Sequence, residues 1–183
     1  WELQRRVFAE VVSGSGPNRF LLCEHPDVLT LGRNARTDEN LLMDRDALRA
    51  AGYEVYDVDR GGDVTYHGPG QLVGYPIIRL ADYREDLGWY MRSLEDLIIM
   101  MIADDGLNGG RKEGMTGVWV DDRKICAIGV RASRWTTMHG FALNVSVAPG
   151  SAPSRRSSKP SATTAPDCGA SSSSRAARQR ETS

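Results

Sequence analysis

The alternation of apolar and polar positions divides the first 147 residues into short, recognisable elements. Leu3, Val7, Phe8, Val11 and Val12 recur at helical spacing, which predicts an amphipathic helix over residues 2–12. RFLLCE (19–24) and DVLTLG (27–32) are apolar runs separated by His25 and Pro26, a pattern that predicts two paired strands. Residues 44–51 suit a short helix, with Asp44 as its cap and Gly52 as its stop. YEVYDV (53–58) alternates as a strand does, and LVGYPIIRL (72–80) reads as a buried strand. The longest helix is predicted over 82–105, its stripe being Tyr83, Leu87, Tyr90, Met91, Leu94, Leu97, Ile98, Met101 and Ile102. GVWV (117–120), a polar turn at Asp121, Asp122 and Arg123, and KICAIGVRA (124–132) form a hairpin. TTMHGFALNV (136–145) pairs next to it. Strands mostly follow strands and helices enter singly. The expected fold is therefore mixed α+β with a largely antiparallel sheet flanked by helices, not an alternating doubly wound one.

The pattern stops at Val147. Residues 148–183 contain no Val, Ile, Leu, Met, Phe, Trp or Tyr, but ten Ser, seven Ala, five Arg and four Pro. Such a segment cannot bury enough apolar surface to offset its ordering entropy, so a low-complexity tail is expected there. Out-of-frame reading of GC-rich codons yields this residue mixture, and a shifted frame after Val147 is the favoured origin, with a basic, Ser-rich linker or interaction arm as the alternative. The domain expectation is a unit over 1–147, incomplete at its C-terminal side, followed by the tail over 148–183.

Bulk properties remove several classes of function. The 183 residues carry a formal net charge of −1, which offers no footprint for nucleic acid or an anionic membrane. The longest apolar run, LIIMMIA (97–103), is too short to span a bilayer. The opening WELQRRVFAE lacks a signal-peptide pattern, so a cytoplasmic location is expected. Cys23, Cys126 and Cys168 are odd in number and form no CxxC pair, and His25, His67 and His139 are scattered. Neither a disulfide framework nor a metal site is indicated.

The densest chemical signal is RGGDVTYHGPGQL (60–72). Its glycines permit close backbone approaches, and such a loop can wrap a chain-like ligand or offer amide donors to a carbonyl oxygen. Thr65, Tyr66 and His67 would add side-chain donors and a wall. The alternative is a turn-rich connection with a satisfied histidine. Neither GxGxxG nor GxxxxGK[ST] is present, so it is not a nucleotide loop of those kinds.

The run RGGDVTYHGPGQLVGYPIIRL resembles the signature of the lipoyl(octanoyl) transferases. LLCEHPDVLTLGR (21–33), GVWVDDRKICAIGVR (117–131) and HGFALNV (139–145) resemble further segments of that family, in the same order. The resemblance implies the fold shared with biotin and lipoate protein ligases. It implies transfer of an octanoyl group from acyl carrier protein, through a cysteine thioester, to a lysine of lipoyl domains in protein lipoylation. Partners would be acyl carrier protein, the lipoyl domains of 2-oxoacid dehydrogenase complexes and the glycine cleavage H protein. No cofactor or metal is implied, because a thioester is already activated and arrives on phosphopantetheine. Substrate contacts would come from Arg60, Gly61, Gly62, Asp63, Val64, Thr65, Tyr66 and His67, from Ala127, Ile128 and Gly129, and from Gly140, Phe141 and Ala142. By pattern alone Lys124 is a solvated charge opening a strand. The resemblance makes it the lysine whose ammonium lowers the nucleophile's pKa.

The nucleophile departs from the family pattern. The resemblance places a Pro-Cys-Gly turn roughly 14 residues after Asn144, where this chain has Ser158. Cys168, within Pro166-Asp167-Cys168-Gly169, is the candidate in the right region of the sequence. Cys23 and Cys126 sit in strand patterns as small core residues. Two other readings remain open: an ATP-dependent lipoate or biotin protein ligase, and a truncated acyl-binding remnant without activity.

Overall fold

A computed structural model describes residues 1–35 and 43–147. Among them the helices are α1 (Glu2–Ser13), α2 (Arg45–Ala50) and α3 (Leu87–Ala103). The strands are β1 (Arg19–Cys23), β2 (Val28–Leu31), β3 (Glu54–Asp57), β4 (Val64–His67), β5 (Gln71–Ile77), β6 (Gly109–Lys112), β7 (Met115–Val120), β8 (Arg123–Ser133) and β9 (Thr136–Asn144). Six strands form an antiparallel sheet in the order β1-β5-β9-β8-β7-β6. Three form a smaller sheet, β3-β2-β4, with β2 parallel to β3 and antiparallel to β4. The α+β expectation holds. The tail, Ser158 and Cys168 lie outside the described residues.

Apolar periodicity built the main layer. In α3, Tyr90, Leu94, Ile98 and Ile102 recur every fourth residue and pack on Val118, Val120, Ile125, Cys126, Ile128, Phe141 and Leu143 of the large sheet. Each such buried aliphatic contributes about 1.5–3 kcal/mol. On the other face, Val7 and Val11 of α1 meet Ile77, with Phe8 and Leu21 alongside.

Three expectations are corrected. β1 and β2 do not pair with each other: β1 lies against β5, and β2 between β3 and β4. Val28, Leu29 and Leu31 are all buried, which suits a central strand, whereas Phe20 and Leu22 are exposed as on an edge. The longest helix begins at Leu87 rather than 82, because Asp86 caps it by accepting from Trp89 N at 2.8 Å. Tyr83 lies before the helix, and Leu87, Leu97 and Met101 within it are exposed, outside the buried stripe. In α1 the buried face is Gln4, Val7 and Val11, and Leu3 is exposed. Gln4 is drawn inside because its Oε1 accepts from His139 N at 3.1 Å. The α2 reading held, with Asp44 Oδ1 accepting from Ala47 N at 2.7 Å.

Candidate functional site

The ladder between β8 and β9 sets the site's floor. Ala127 faces Ala142, Ile128 faces Phe141 and Gly129 faces Gly140. The two segments singled out in the sequence are thus register partners. Strand side chains alternate between faces. Ile128 and Phe141 project into the core against α3, so Ala127, Gly129, Gly140 and Ala142 lie on the opposite face, a patch of small residues. Added bulk is resisted at two of these positions, most strongly at Gly140. A Cβ on Gly140 would stand 2.2 Å from Gly74 O, and one on Gly129 3.0 Å from Gly61 O and 3.3 Å from Arg60 Cδ.

The second contact shows that Arg60 and Gly61 lie directly over Gly129. Gly61 N donates to Val130 O at 3.1 Å, while Gly32 N, Arg33 N and Asn34 N donate to Asp63 O, Arg60 O and Gly62 O. The loop is therefore clamped between the end of β2 and β8. Its backbone amides are less available than the sequence suggested: that of Gly61 is used by Val130, and that of Val64 by Asp63 Oδ1 at 2.8 Å. Residues 64–67 are not loop at all but β4, held in the small sheet by β2.

A polar network joins the two sheets. Buried Arg60 donates to Thr30 O at 2.9 Å, to Thr30 Oγ1 at 3.0 Å and to Gly61 O at 3.0 Å. Desolvation lowers its guanidinium to about 10. Thr30 Oγ1 lies 3.4 Å from His67 Nε2, and His67 Nδ1 lies 2.7 Å from Gln71 Oε1. Gln71 Nε2 donates to Asn144 Oδ1 at 2.8 Å and to Tyr66 O at 3.3 Å. Burial lowers the His67 imidazole to about 4, only partly opposed by Gln71, with His25, Arg60 and His139 adding positive charge nearby. His67 is neutral at pH 7. His25 sits beside it, ring centroids 5.6 Å apart, with Nε2 2.7 Å from Tyr75 Oη and 3.4 Å from Cys23 Sγ.

A second cluster was not read from the sequence. Asp59, next to Arg60 in the chain, receives His139 Nε2 at 2.8 Å and pairs with Arg131. His139 is buried at φ +64°, and the Trp1 ring stacks on it at 5.2 Å. Its only sequence signals were a carboxylate and an imidazole 80 residues apart, which no spacing rule connects.

Lys124 is on the same side as the small-residue patch. Val118 pairs with Cys126, but the next residue, Trp119, pairs with Lys124, so β8 bulges at Ile125. Lys124 consequently shares a face with Trp119, its Nζ 5.0 Å from the ring centroid, and its stem covers Gly117. Burial lowers its ammonium pKa, against the opposing influence of Cys126 and Glu95. Cys126 points into the core, where desolvation pushes its thiol up to about 12. That agrees with the reading of Cys126 as a packing residue. Cys23 is half-buried, and burial raises its thiol too. Among the described residues no group of three or more His, Cys, Asp or Glu is placed to hold a metal ion, and no helix is long and apolar enough to cross a membrane.

The family model for the lipoyl protein ligase A/B catalytic domain matches residues 1–176. The chain belongs to this family. Relatives within reach of direct alignment include octanoyltransferases of Solibacter usitatus (strain Ellin6076), 54% identical over 79% of this chain and 66% of the relative, and of Gloeobacter violaceus, 51% identical over 79% and 63%. An octanoyltransferase of Flavobacterium johnsoniae is 48% identical over 80% and 70%. The chain thus spans about two thirds of the length of these curated relatives. Among solved structures, a lipoate-protein ligase A bound with ATP superposes with a TM-score of 0.62 at 15% identity, over 75% of this chain and 59% of that one. A bi-partite lipoate protein ligase from Thermoplasma acidophilum gives 0.61 at 15% identity, over 77% and 56%. At that identity the likeness establishes the biotin/lipoate ligase-like fold, as the sequence implied.

Proposed function

We propose that this chain is an octanoyltransferase of protein lipoylation: a cysteine thiolate takes the octanoyl group from acyl carrier protein and passes it to a lipoyl-domain lysine. The observation that carries this reading is the convergence of residues 60–67, 127–129 and 140–142, which are distant in sequence, around one patch of small residues. Ala127 and Ala142 keep this face free of bulky side chains beside the closely covered glycines, and buried Arg60 and His67 give the carbonyl end of an acyl chain a polar wall.

In this reading Arg60 to His67 contact substrate together with Ala127, Gly129, Gly140 and Ala142, while Ile128 and Phe141, whose side chains face α3, reach it only through their backbone. Lys124, partly desolvated and on the same face, holds the nucleophilic thiol toward its thiolate form and takes up or returns a proton. Cys168 is the candidate nucleophile. No cofactor is required, since the thioester supplies the driving force. The donor is acyl carrier protein, and the acceptors are lipoyl domains of 2-oxoacid dehydrogenase complexes and the glycine cleavage H protein, in the cytoplasm.

The test is to incubate the protein with octanoylated acyl carrier protein and read intact mass, with Cys168→Ser in parallel. An octanoyl adduct on the parent that is absent from the variant, and that a lipoyl domain then discharges, is the expected result. An equal adduct on both proteins removes Cys168 from the mechanism, and no adduct on either refutes the transferase reading. Adenylation of free octanoate with consumption of ATP would instead assign the chain to the ligases.

A further inference from the structure

The network between the sheets has a direction that its own chemistry fixes. The carbonyl of Tyr66 can only accept, so the Gln71 side-chain atom 3.3 Å from it is the amide nitrogen. That nitrogen also lies 2.8 Å from Asn144, whose facing atom must then be the carbonyl Oδ1. The remaining Gln71 atom, Oε1, is 2.7 Å from His67 Nδ1, which therefore carries a proton. In the neutral ring Nε2 is then an acceptor, facing Thr30 Oγ1 at 3.4 Å. Thr30 Oγ1 accepts from Arg60 at 3.0 Å, and its one proton faces two acceptors at 3.4 Å, Thr65 O and His67 Nε2. From His67 through Gln71 to Asn144 the successive donors point one way.

The chain ends on a free donor. Asn144 is buried, and its side-chain nitrogen has no hydrogen-bond partner among the described residues. It is not sealed off: the one described side-chain atom both fully enclosed and unpaired is Trp119 Nε1. Asn144 stands two residues after Ala142 and opposite Gln71, so it shares the face of the small-residue patch. Buried donors are ordinarily paired in the working state of a protein. Successive hydrogen bonds that point one way polarise one another and strengthen the last donor.

We infer that the Asn144 side-chain amide is the donor that holds the carbonyl oxygen of the bound acyl thioester, with His67 and Gln71 as positioning residues that fix and polarise it. The inference rests on the acyl-transfer reading and adds a named group to it. When the attacking thiolate forms its bond to the acyl carbon, the carbonyl electron pair moves onto oxygen. It returns as the carbon–sulfur bond to pantetheine breaks, and the pantetheine thiolate leaves and takes a proton. A fixed N–H aimed at that oxygen gains strength as its charge develops.

The test compares two inert ligands by titration calorimetry on the full chain. One is a pantetheine octanoyl ketone in which CH2 replaces the thioester sulfur; the other carries CH2 in place of the ketone as well. The wild type is expected to bind the ketone about tenfold tighter, the worth of one good hydrogen bond. Asn144→Asp, which keeps the acceptor for Gln71 but lacks the N–H donors, and Asn144→Ala should both bring the ratio to about one. Affinity for the ketone-free ligand should hold. A ratio retained in either folded variant, or a wild-type ratio near one, overturns the assignment. If neither ligand binds the wild type, the acyl-binding reading itself fails. Nitrogen-15 spectra of His67 test the relay separately: protonated Nδ1 with bare Nε2 is expected, reverting to protonated Nε2 in Gln71→Ala. Protonated Nε2 in the wild type overturns the direction of the chain.

Discussion

Acidification should loosen this protein through His67. The imidazole is buried between the two sheets and lowered to about 4, whereas in the unfolded chain it titrates near its ordinary value of about 6.5. Between those values the unfolded state binds the proton and the folded state does not. The folded pKa lies below the unfolded one, so stability rises with pH through this window and is lost as pH falls. Going from pH 7 to pH 5, the two pKa values give a loss of about 2 kcal/mol from this one group. That is a sizeable part of the roughly 5–15 kcal/mol available to a small domain. His25 and His139 are also lowered by burial and act in the same direction, so the wild type alone does not isolate His67. The assay is urea unfolding at pH 7, 6 and 5 on the wild type and His67→Gln, whose amide can still donate toward Gln71 but has no proton to gain. The wild type should lose about 2 kcal/mol more than the variant over this range. Parallel curves would refute the reasoning and would mean that His67 is solvated or already charged.

Three further outcomes follow from the geometry. Gly140→Ala drives a Cβ to 2.2 Å from Gly74 O, a backbone atom on a paired strand that cannot turn aside. It should cost about 3 kcal/mol in denaturant unfolding, whereas Gly110→Ala, with nothing within 4 Å, should change stability by less than about 1 kcal/mol. Equal effects would show that the β5–β9 register is wrong. Glu95 is almost wholly buried and accepts from Gly117 N at 3.0 Å and from Arg92 and Arg111 at 3.0 and 2.7 Å. Glu95→Ala should lower stability by about 2–3 kcal/mol by thermal or chemical unfolding, because the buried Gly117 amide loses its partner; a change below about 0.5 kcal/mol counts against it. Lys124→Ala should slow acyl-adduct formation at least tenfold at pH 7, with a deficit that narrows toward pH 9 as thiolate forms without help; a rate equal to wild type removes Lys124 from the proposed chemistry.

Local pattern and local chemistry were enough to place most elements. The four-residue spacing from Tyr90 to Ile102 defines a helix with one apolar face, and a polar turn between GVWV and KICAIGVRA defines a hairpin. These signals lie within a few residues of one another, which is why a linear reading finds them. The same reading marked RGGDVTYHGPGQL as a special segment, because glycines at that density have few other uses. It could not see that half of this segment is a strand, since the pairing of β4 with β2 joins residues more than 30 positions apart.

Only the tertiary structure decided what meets what. Whether LTL of β2 pairs with the preceding strand or with two later ones depends on which faces are covered, and that is a property of the assembled sheets. The bulge that turns Lys124 to the patch while Cys126 stays in the core is a one-residue change of register, and alternation in the sequence is blind to it. The Asp59–His139 pair and the His67-to-Asn144 relay join residues 80 and 77 apart through hydrogen bonds. Such bonds are set by distances of about 3 Å in the folded chain and leave no period in the sequence. The sequence by itself determined the elements, the glycine-rich segment and the family. The fold decided which small residues form the patch, which face Lys124 takes, and where the Asn144 amide lies, because each depends on register and packing across the sheets.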